Sequence, residues 1–169
     1  QSVVIAAVGN TQDSCRKFTK TYKVKTYPNQ NIDQALSECD VNFAIITTPE
    51  WIRRKPVKEI CKYNLPILLE KPFASTLEDS LFIKECLSQN EQFFDVCHVL
   101  RSSPRFQKMM FAIKNGDIGN IKHIFARRNS NNLRAQRVLG KFTLTNWLLP
   151  HDLDMVLNLV HSEVKSVFC

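Results

Sequence analysis

The chain has 169 residues, 44% of them hydrophobic, and a formal net charge of +7. That suffices for one domain or two small ones, and no run approaches the roughly 20 apolar residues of a membrane span. The basic residues are dispersed and not interleaved with aromatics, which suits solvated helix faces and argues against nucleic-acid binding.

The six cysteines, Cys15, Cys39, Cys61, Cys86, Cys97 and Cys169, contain no C-x-x-C pair. They are read as free, mostly buried thiols of a reducing, cytoplasmic compartment. Neither a disulfide frame nor a metal site is expected. Gln1–Val8 runs into an apolar stretch with no charged leader, and position 1 is not Met. Residues are therefore expected to precede Gln1.

Val3–Val8 is a continuous β-branched and alanine run, the pattern of a strand buried on both faces of a parallel sheet. Gly9-Asn10-Thr11 ends it. Asp13–Tyr22 reads as a helix, Val24–Tyr27 as extended and Asn31–Leu36 as a short helix. Phe43–Thr47 is a second buried strand closed by Thr48-Pro49. Trp51–Tyr63 reads as a helix, with Pro56 complicating its early turns. Pro66–Leu69 is a third strand. Leu77–Ser88 is a helix with Leu77, Leu81, Phe82, Cys86 and Leu87 inward, and Phe93–Cys97 is a fourth strand.

Short apolar strands alternating with helices of about ten residues indicate βαβ units and a parallel sheet. The strand ends then gather on one edge, where such sheets bind ligands. Thr47, Thr48, Glu70, Lys71 and His98 are expected to share that crevice.

After His98 the pattern changes. Ser103–Lys114 reads as a helix with Phe106, Met109, Met110 and Ile113 inward. Residues 115–119 read as a turn and Ile121–Arg128 as a strand. Asn129–Lys141 reads as a polar, basic loop, and Pro150-His151 as the start of a helix through Val160. Val164–Phe168 reads as a last strand. Two domains are expected, 1–98 and 99–169.

Five motifs occur in order: Ile45-Ile46-Thr47-Thr48-Pro49, Leu69-Glu70-Lys71-Pro72-Phe73-Ala74, His98-Val99-Leu100-Arg101-Ser102-Ser103-Pro104, Asn115-Gly116-Asp117-Ile118-Gly119 and His151-Asp152-Leu153-Asp154. Together they resemble the Gfo/Idh/MocA oxidoreductases, the glucose–fructose oxidoreductase and inositol dehydrogenase family. The resemblance implies an α/β fold: a Rossmann-like parallel sheet, then part of an α+β domain with a mostly antiparallel sheet.

It also implies hydride transfer between a nicotinamide cofactor and a carbohydrate-like small molecule, a sugar, sugar derivative or polyol. Lys71 would hydrogen-bond the reacting oxygen, Glu70 would position it, and Pro72, commonly cis in the family, would fix the turn. His151 matches a histidine near the substrate. Thr47, Thr48, Pro49 and His98 would line the cofactor cleft, and Glu70, Lys71 and Pro72 would lie against the cofactor beside its nicotinamide. A homo-oligomer built through the C-terminal sheet is expected.

The chain departs from the family pattern in several places. The opening strand and its G-x-G-x-x-G turn are absent, so the chain reads as starting at the second Rossmann strand. It is expected, as given, to bind dinucleotide poorly. Gly9-Asn10-Thr11 stands where an acidic residue would bind the ribose hydroxyls of NAD. With Arg16 following, this favours NADP over NAD as cofactor. Arg53 stands where members often have His. Trp147 stands where many carry an aspartate four residues before the histidine. A relative that senses nucleotide or sugar without turnover is the alternative reading.

Overall fold

The computed structural model describes residues 2–89, 92–129, 143–160 and 162–168. The chain divides into two units, Gln1–Val96 and Cys97–Cys169.

In the first unit, β1 (Ala6–Val8) leads into α1 (Gln12–Tyr22) and β2 (Lys25–Tyr27). Thr11 caps α1 reciprocally with Ser14, and Lys23 ends it in the left-handed region at φ 56°. β1 and β2 pair in parallel with Ala6 opposite Lys25 and Val8 opposite Tyr27. The parallel crossover requires an intervening helix, and α1 supplies it.

After α2 (Ile32–Glu38) comes β3 (Ala44–Ile46), then a 3-10 turn at Glu50–Ile52 and α3 (Arg54–Cys61). Pro56 falls in the first turn of α3, where its missing N–H has no intrahelical acceptor to lose. The expected single helix from Trp51 is therefore a tight turn followed by a shorter helix. β4 (Ile67–Glu70), α4 (Leu77–Ser88) and β5 (Phe94–Cys97) complete the run.

The strands form two sheets, β1-β2 and β3-β4-β5, with β3 and β4 parallel. The usual dinucleotide-binding order is 3-2-1-4-5-6. Removing its central first strand leaves 3-2 and 4-5-6, which is the pattern observed. The expected burial fails in two strands: Val3, Val4, Ile5 and Val8 are exposed, and so are Phe43 and Ile45 at β3. Among the described residues β1 has a hydrogen-bonded neighbour along one edge alone.

The core gathers Ile46 of β3, Ile67 and Leu69 of β4, Val57, Ile60 and Cys61 of α3, and Ile83 and Leu87 of α4, joined by Ile32 of α2. Full burial of each large aliphatic side chain contributes about 1.5–3 kcal/mol. α4 keeps its expected span, with Phe82, Cys86 and Leu87 toward the core as expected, but Ile83 stands there in place of Leu77 and Leu81. Ile83 and Leu87, one turn apart, are buried, Phe82 and Cys86 flank them, and Leu77 and Leu81 are exposed. A helix with apolar residues on several sides leaves the choice of face to the surface it packs on.

The second unit begins with a 3-10 turn at Val99–Ser102, followed by α5 (Pro104–Lys114). Pro104 opens α5 at its first position and Phe106 is its buried anchor. Gly116 follows at φ +79°, a backbone conformation that costs glycine little. α6 spans Leu144–Val160, starting well before the expected Pro150. The Thr143 hydroxyl accepts from Asn146 N at 3.1 Å and caps the earlier start. Pro150 then lies inside the helix and forgoes one backbone hydrogen bond.

The strands expected at Ile121–Arg128 and Val164–Phe168 do not form: residues 121–129 and 162–168 hold neither helix nor strand. A strand exists by pairing, and among the described residues these segments have no ladder partner. Apart from Asn129, the expected loop 129–141 lies outside the described residues, as does Cys169.

Candidate active site

Lys71 follows the last residue of β4, at the carboxyl edge where a parallel sheet opens to ligands. The carboxylate of Glu70 accepts from the Lys71 backbone N–H at 3.1 Å, so Glu70 orients the main chain beneath the lysine. The Lys71–Pro72 peptide bond is cis, as the resemblance implied. Phe73 packs its ring 6.3 Å from that of Phe94 on β5 and contacts the core. Lys71 itself is half-buried.

The group that ties this corner together is Arg53, between the 3-10 turn and α3 and only 1% exposed. Its Nη2 donates to the carbonyl of Thr48 at 2.5 Å, just past β3. Its Nη1 donates to the carbonyls of Glu70 at 2.5 Å, of Phe73 at 3.4 Å, and of Pro72. One guanidinium thus joins the ends of β3 and β4. Burial lowers its pKa from the usual arginine value, and the Glu50 and Glu70 carboxylates pull it back up. Arginine's fork of five N–H donors suits this task, and no other side chain offers as many.

The same corner presents the Thr48 hydroxyl, whose Oγ1 is buried with no hydrogen-bond partner. A buried polar atom of this kind normally finds a partner. Thr47 and Pro49 flank it on the exposed side.

The end of β1 builds a second corner of the same unit. The Gly9 carbonyl accepts from Gln30 N at 2.9 Å, and the Gly9 N–H donates to Tyr27 O at 2.9 Å. A Cβ at Gly9 would meet Cys15 Sγ at 2.6 Å, so glycine is what lets α1 approach the strand. The Asn10 carboxamide oxygen accepts from Gln30 Nε2 at 3.0 Å. Thr11 and Ser14 cap the α1 N-terminus, and Arg16 lies exposed on its first turns.

In the second unit, Asp154 of α6 is 7% exposed and accepts from Arg101 through both carboxylate oxygens. The Nδ1 of His98 lies 3.7 Å from Asp154 Oδ2. Asn158, one turn on, donates to Asp154. His151 is half-buried on α6, and Trp147 sits one turn earlier on the same helix face. Asp152 is held by Arg128 at 2.8 Å.

Of the residues expected at the site, the first unit brings Thr48, Glu70, Lys71 and Pro72 to one corner, with Gly9, Asn10, Thr11 and Arg16 at the end of β1. His98 and His151 belong to the second unit. The binding of Arg53 to four carbonyls was not anticipated. Its signal was present: Arg53, Val57 and Ile60 recur at i, i+4 and i+7, so the arginine falls on the apolar stripe of the helix. The Arg101–Asp154 pair was likewise unforeseen, because its members are far apart in sequence. Among the described residues no group of three or more His, Cys, Asp or Glu side chains is placed to hold a metal ion. No described helix is long and apolar enough to cross a membrane.

Parallel strands in this order, with polar groups at their carboxyl ends, define a Rossmann-like α/β domain. Residues 1–98 match the model of the GFO_IDH_MocA family, described as an oxidoreductase family with an NAD-binding Rossmann fold. The match covers more than half of the chain, which belongs to this family. The chain is 24% identical over 136 residues to an inositol 2-dehydrogenase of Pseudarthrobacter chlorophenolicus, covering 80% of the chain and 40% of that protein. It is 25% identical over 111 residues to the 2,7-anhydro-N-acetylneuraminate hydratase of Escherichia coli, covering 66% and 30%. The scyllo-inositol dehydrogenase of Lactobacillus casei, solved with NAD(H) and scyllo-inositol, superposes with a TM-score of 0.80 at 15% identity, covering 94% of this chain and 48% of that one. The chain spans 27% to 48% of the length of the curated relatives it matches.

Proposed function

We propose that the protein to which this chain belongs transfers hydride between a nicotinamide dinucleotide and a sugar, sugar derivative or polyol. The observation that carries this is Lys71 at the β4 carboxyl edge, its main chain held by Glu70 and by Arg53, in a chain of this family. Residues 1–98 serve the dinucleotide and 99–169 begin the substrate domain.

The unpartnered Thr48 Oγ1 and the strand-end location fit a dinucleotide. Thr47, Thr48 and Pro49 would hold its nicotinamide side. Gly9, Asn10 and Thr11 would hold its adenosine ribose. The absence of a carboxylate at the end of β1, with Arg16 nearby in sequence, favours a 2′-phosphate and so NADP. When bound, the dinucleotide supplies the hydride acceptor or donor at C4 of its nicotinamide. Lys71 Nζ orients the substrate oxygen and holds or takes its hydroxyl proton. His151 is the second group for that proton, and His98 lines the cleft. The working protein is a homo-oligomer of a reducing, cytoplasmic compartment.

The test is full-length protein mixed with NADP or NAD and a panel of polyols and sugars, followed by the absorbance of reduced nicotinamide. Turnover is expected with at least one polyol. Lys71→Ala should lower kcat by about 10²–10⁴-fold and weaken cofactor binding, with the melting temperature unchanged. No turnover across the panel, or Lys71→Ala as active as wild type, overturns the reading. Cofactor binding without turnover would favour the sensing role raised by Trp147.

A further inference from the structure

Arg53 takes no part in the proton transfer proposed above, yet among the described residues it is the most enclosed polar side chain of the first unit, only 1% exposed. A buried cation is costly unless its donors are satisfied. Here none of the hydrogen bonds goes to a carboxylate. All go to backbone carbonyls: Thr48 on one side, and Glu70, Pro72 and Phe73 on the other. A cation kept merely for stability is more economically replaced by an apolar side chain. The acceptors also bracket one residue: Glu70 precedes Lys71, and Pro72 and Phe73 follow it.

We infer that Arg53 is a positioning residue for Lys71, setting the path of the main chain on both sides of the lysine and locking it to the end of β3. The inference rests on the reading of Lys71 as the group at the reacting oxygen. It goes further in placing control of the Lys71 ammonium on a residue at the N-terminal end of α3. A single guanidinium serves because its planar fork reaches several acceptors at once. The ammonium of lysine has three donors at one point and cannot span the separated carbonyls.

The Arg53 Nε is buried without a hydrogen-bond partner. The guanidinium is turned so that its two terminal nitrogens, and not its inner one, face the carbonyls of the strand ends. Full satisfaction of the arginine is given up for reach across both strands.

The experiment uses full-length protein and two variants. Arg53→Lys keeps the charge and removes the fork. Arg53→Gln keeps two N–H donors and buries no charge, so it carries the test if the lysine variant does not fold. Melting temperature reports the fold. The pH profile of Lys71 acylation, read by mass spectrometry beside the exposed Lys58 and Lys62 as internal controls, reports the lysine without requiring turnover.

In a folded variant the Lys71 acylation rate should change at least threefold against the controls. The kcat should fall by about 10²-fold with the KM for cofactor within about threefold. Unchanged Lys71 acylation together with unchanged kcat overturns the inference. A drop in melting temperature alone, with Lys71 acylation as in wild type, also overturns it, because the arginine is then only structural. If wild-type protein turns over no substrate, the hydride-transfer reading fails and the acylation profile alone decides on Arg53.

Discussion

Arg101 grips Asp154 from two directions: its Nε lies 3.0 Å from Oδ2 and its Nη2 lies 2.5 Å from Oδ1. The pair joins the turn after β5 to the middle of α6. Asp154 is buried while the Arg101 side chain is 47% exposed, so only one of the two charges is largely desolvated. Such a pair stabilises by geometry more than by charge, since the outer partner is screened by water.

Asp154→Asn should therefore destabilise the second unit by about 1–3 kcal/mol. His98 and Asn158 lose part of their anchor in the same variant. Denaturant unfolding followed by the fluorescence of Trp147 measures it. A midpoint equal to wild type would show that the pair contributes nothing net.

Gly9→Ala tests the close approach of α1 to β1. The new Cβ meets Cys15 Sγ at 2.6 Å and Ser14 Oγ at 3.3 Å. Overpacking of this kind costs about 1–3 kcal/mol. Removing the sulfur in Gly9→Ala/Cys15→Ala should recover part of the loss, giving a favourable coupling between neighbours in a double-mutant cycle. Simple additivity in thermal melts would place the strain elsewhere.

Cys61 gives a pH dependence with a defined sign. Burial, and then its neighbour Cys86, pushes the Cys61 thiol up to about 11 from the usual 9.0. Its neutral form is favoured by folding. The stability linked to it is complete below pH 9 and is lost as pH rises toward 11. Native protein at pH 8 should alkylate at Cys61 far more slowly than unfolded protein. Equal rates, read by mass spectrometry, would show that the thiol is not enclosed.

Glu38 runs the other way. Lys25, at 2.6 Å, with Gln34 and Tyr27, holds its carboxylate down at about 2 from the usual 4.5. Linked stability is present above pH 4.5 and is lost as pH falls toward 2. A carbon-detected NMR titration should find the Glu38 midpoint well below those of exposed glutamates such as Glu78, and Lys25→Met should raise it.

Much of the site was legible in residue order. Glu70-Lys71-Pro72 at the end of an apolar run marked the β4 edge, and Thr48-Pro49 marked the end of β3. These are local signals, because a strand of four residues followed by a proline turn is specified by its own side chains. α6 starts earlier than Pro150 alone suggests because the Thr143 hydroxyl caps it at Asn146 N. The strands expected at Ile121–Arg128 and Val164–Phe168 do not form because alternation marks what a segment can do, while pairing requires a partner.

Periodicity and turn chemistry in the chain were enough to give alternating strands and helices and the strand ends that carry Thr48 and Lys71, while five ordered motifs carried the resemblance to the family. Folding in three dimensions brought what no window of sequence contains. It set the helix stripe that faces the core and the division of the strands into two sheets. It also placed Arg53 within reach of carbonyls 17 to 20 positions away, and Arg101 beside Asp154 at a separation of 53. The physical reason is common to all of these. Local backbone preference acts over a few residues, whereas a buried charge takes its partners from whatever the packed core brings beside it.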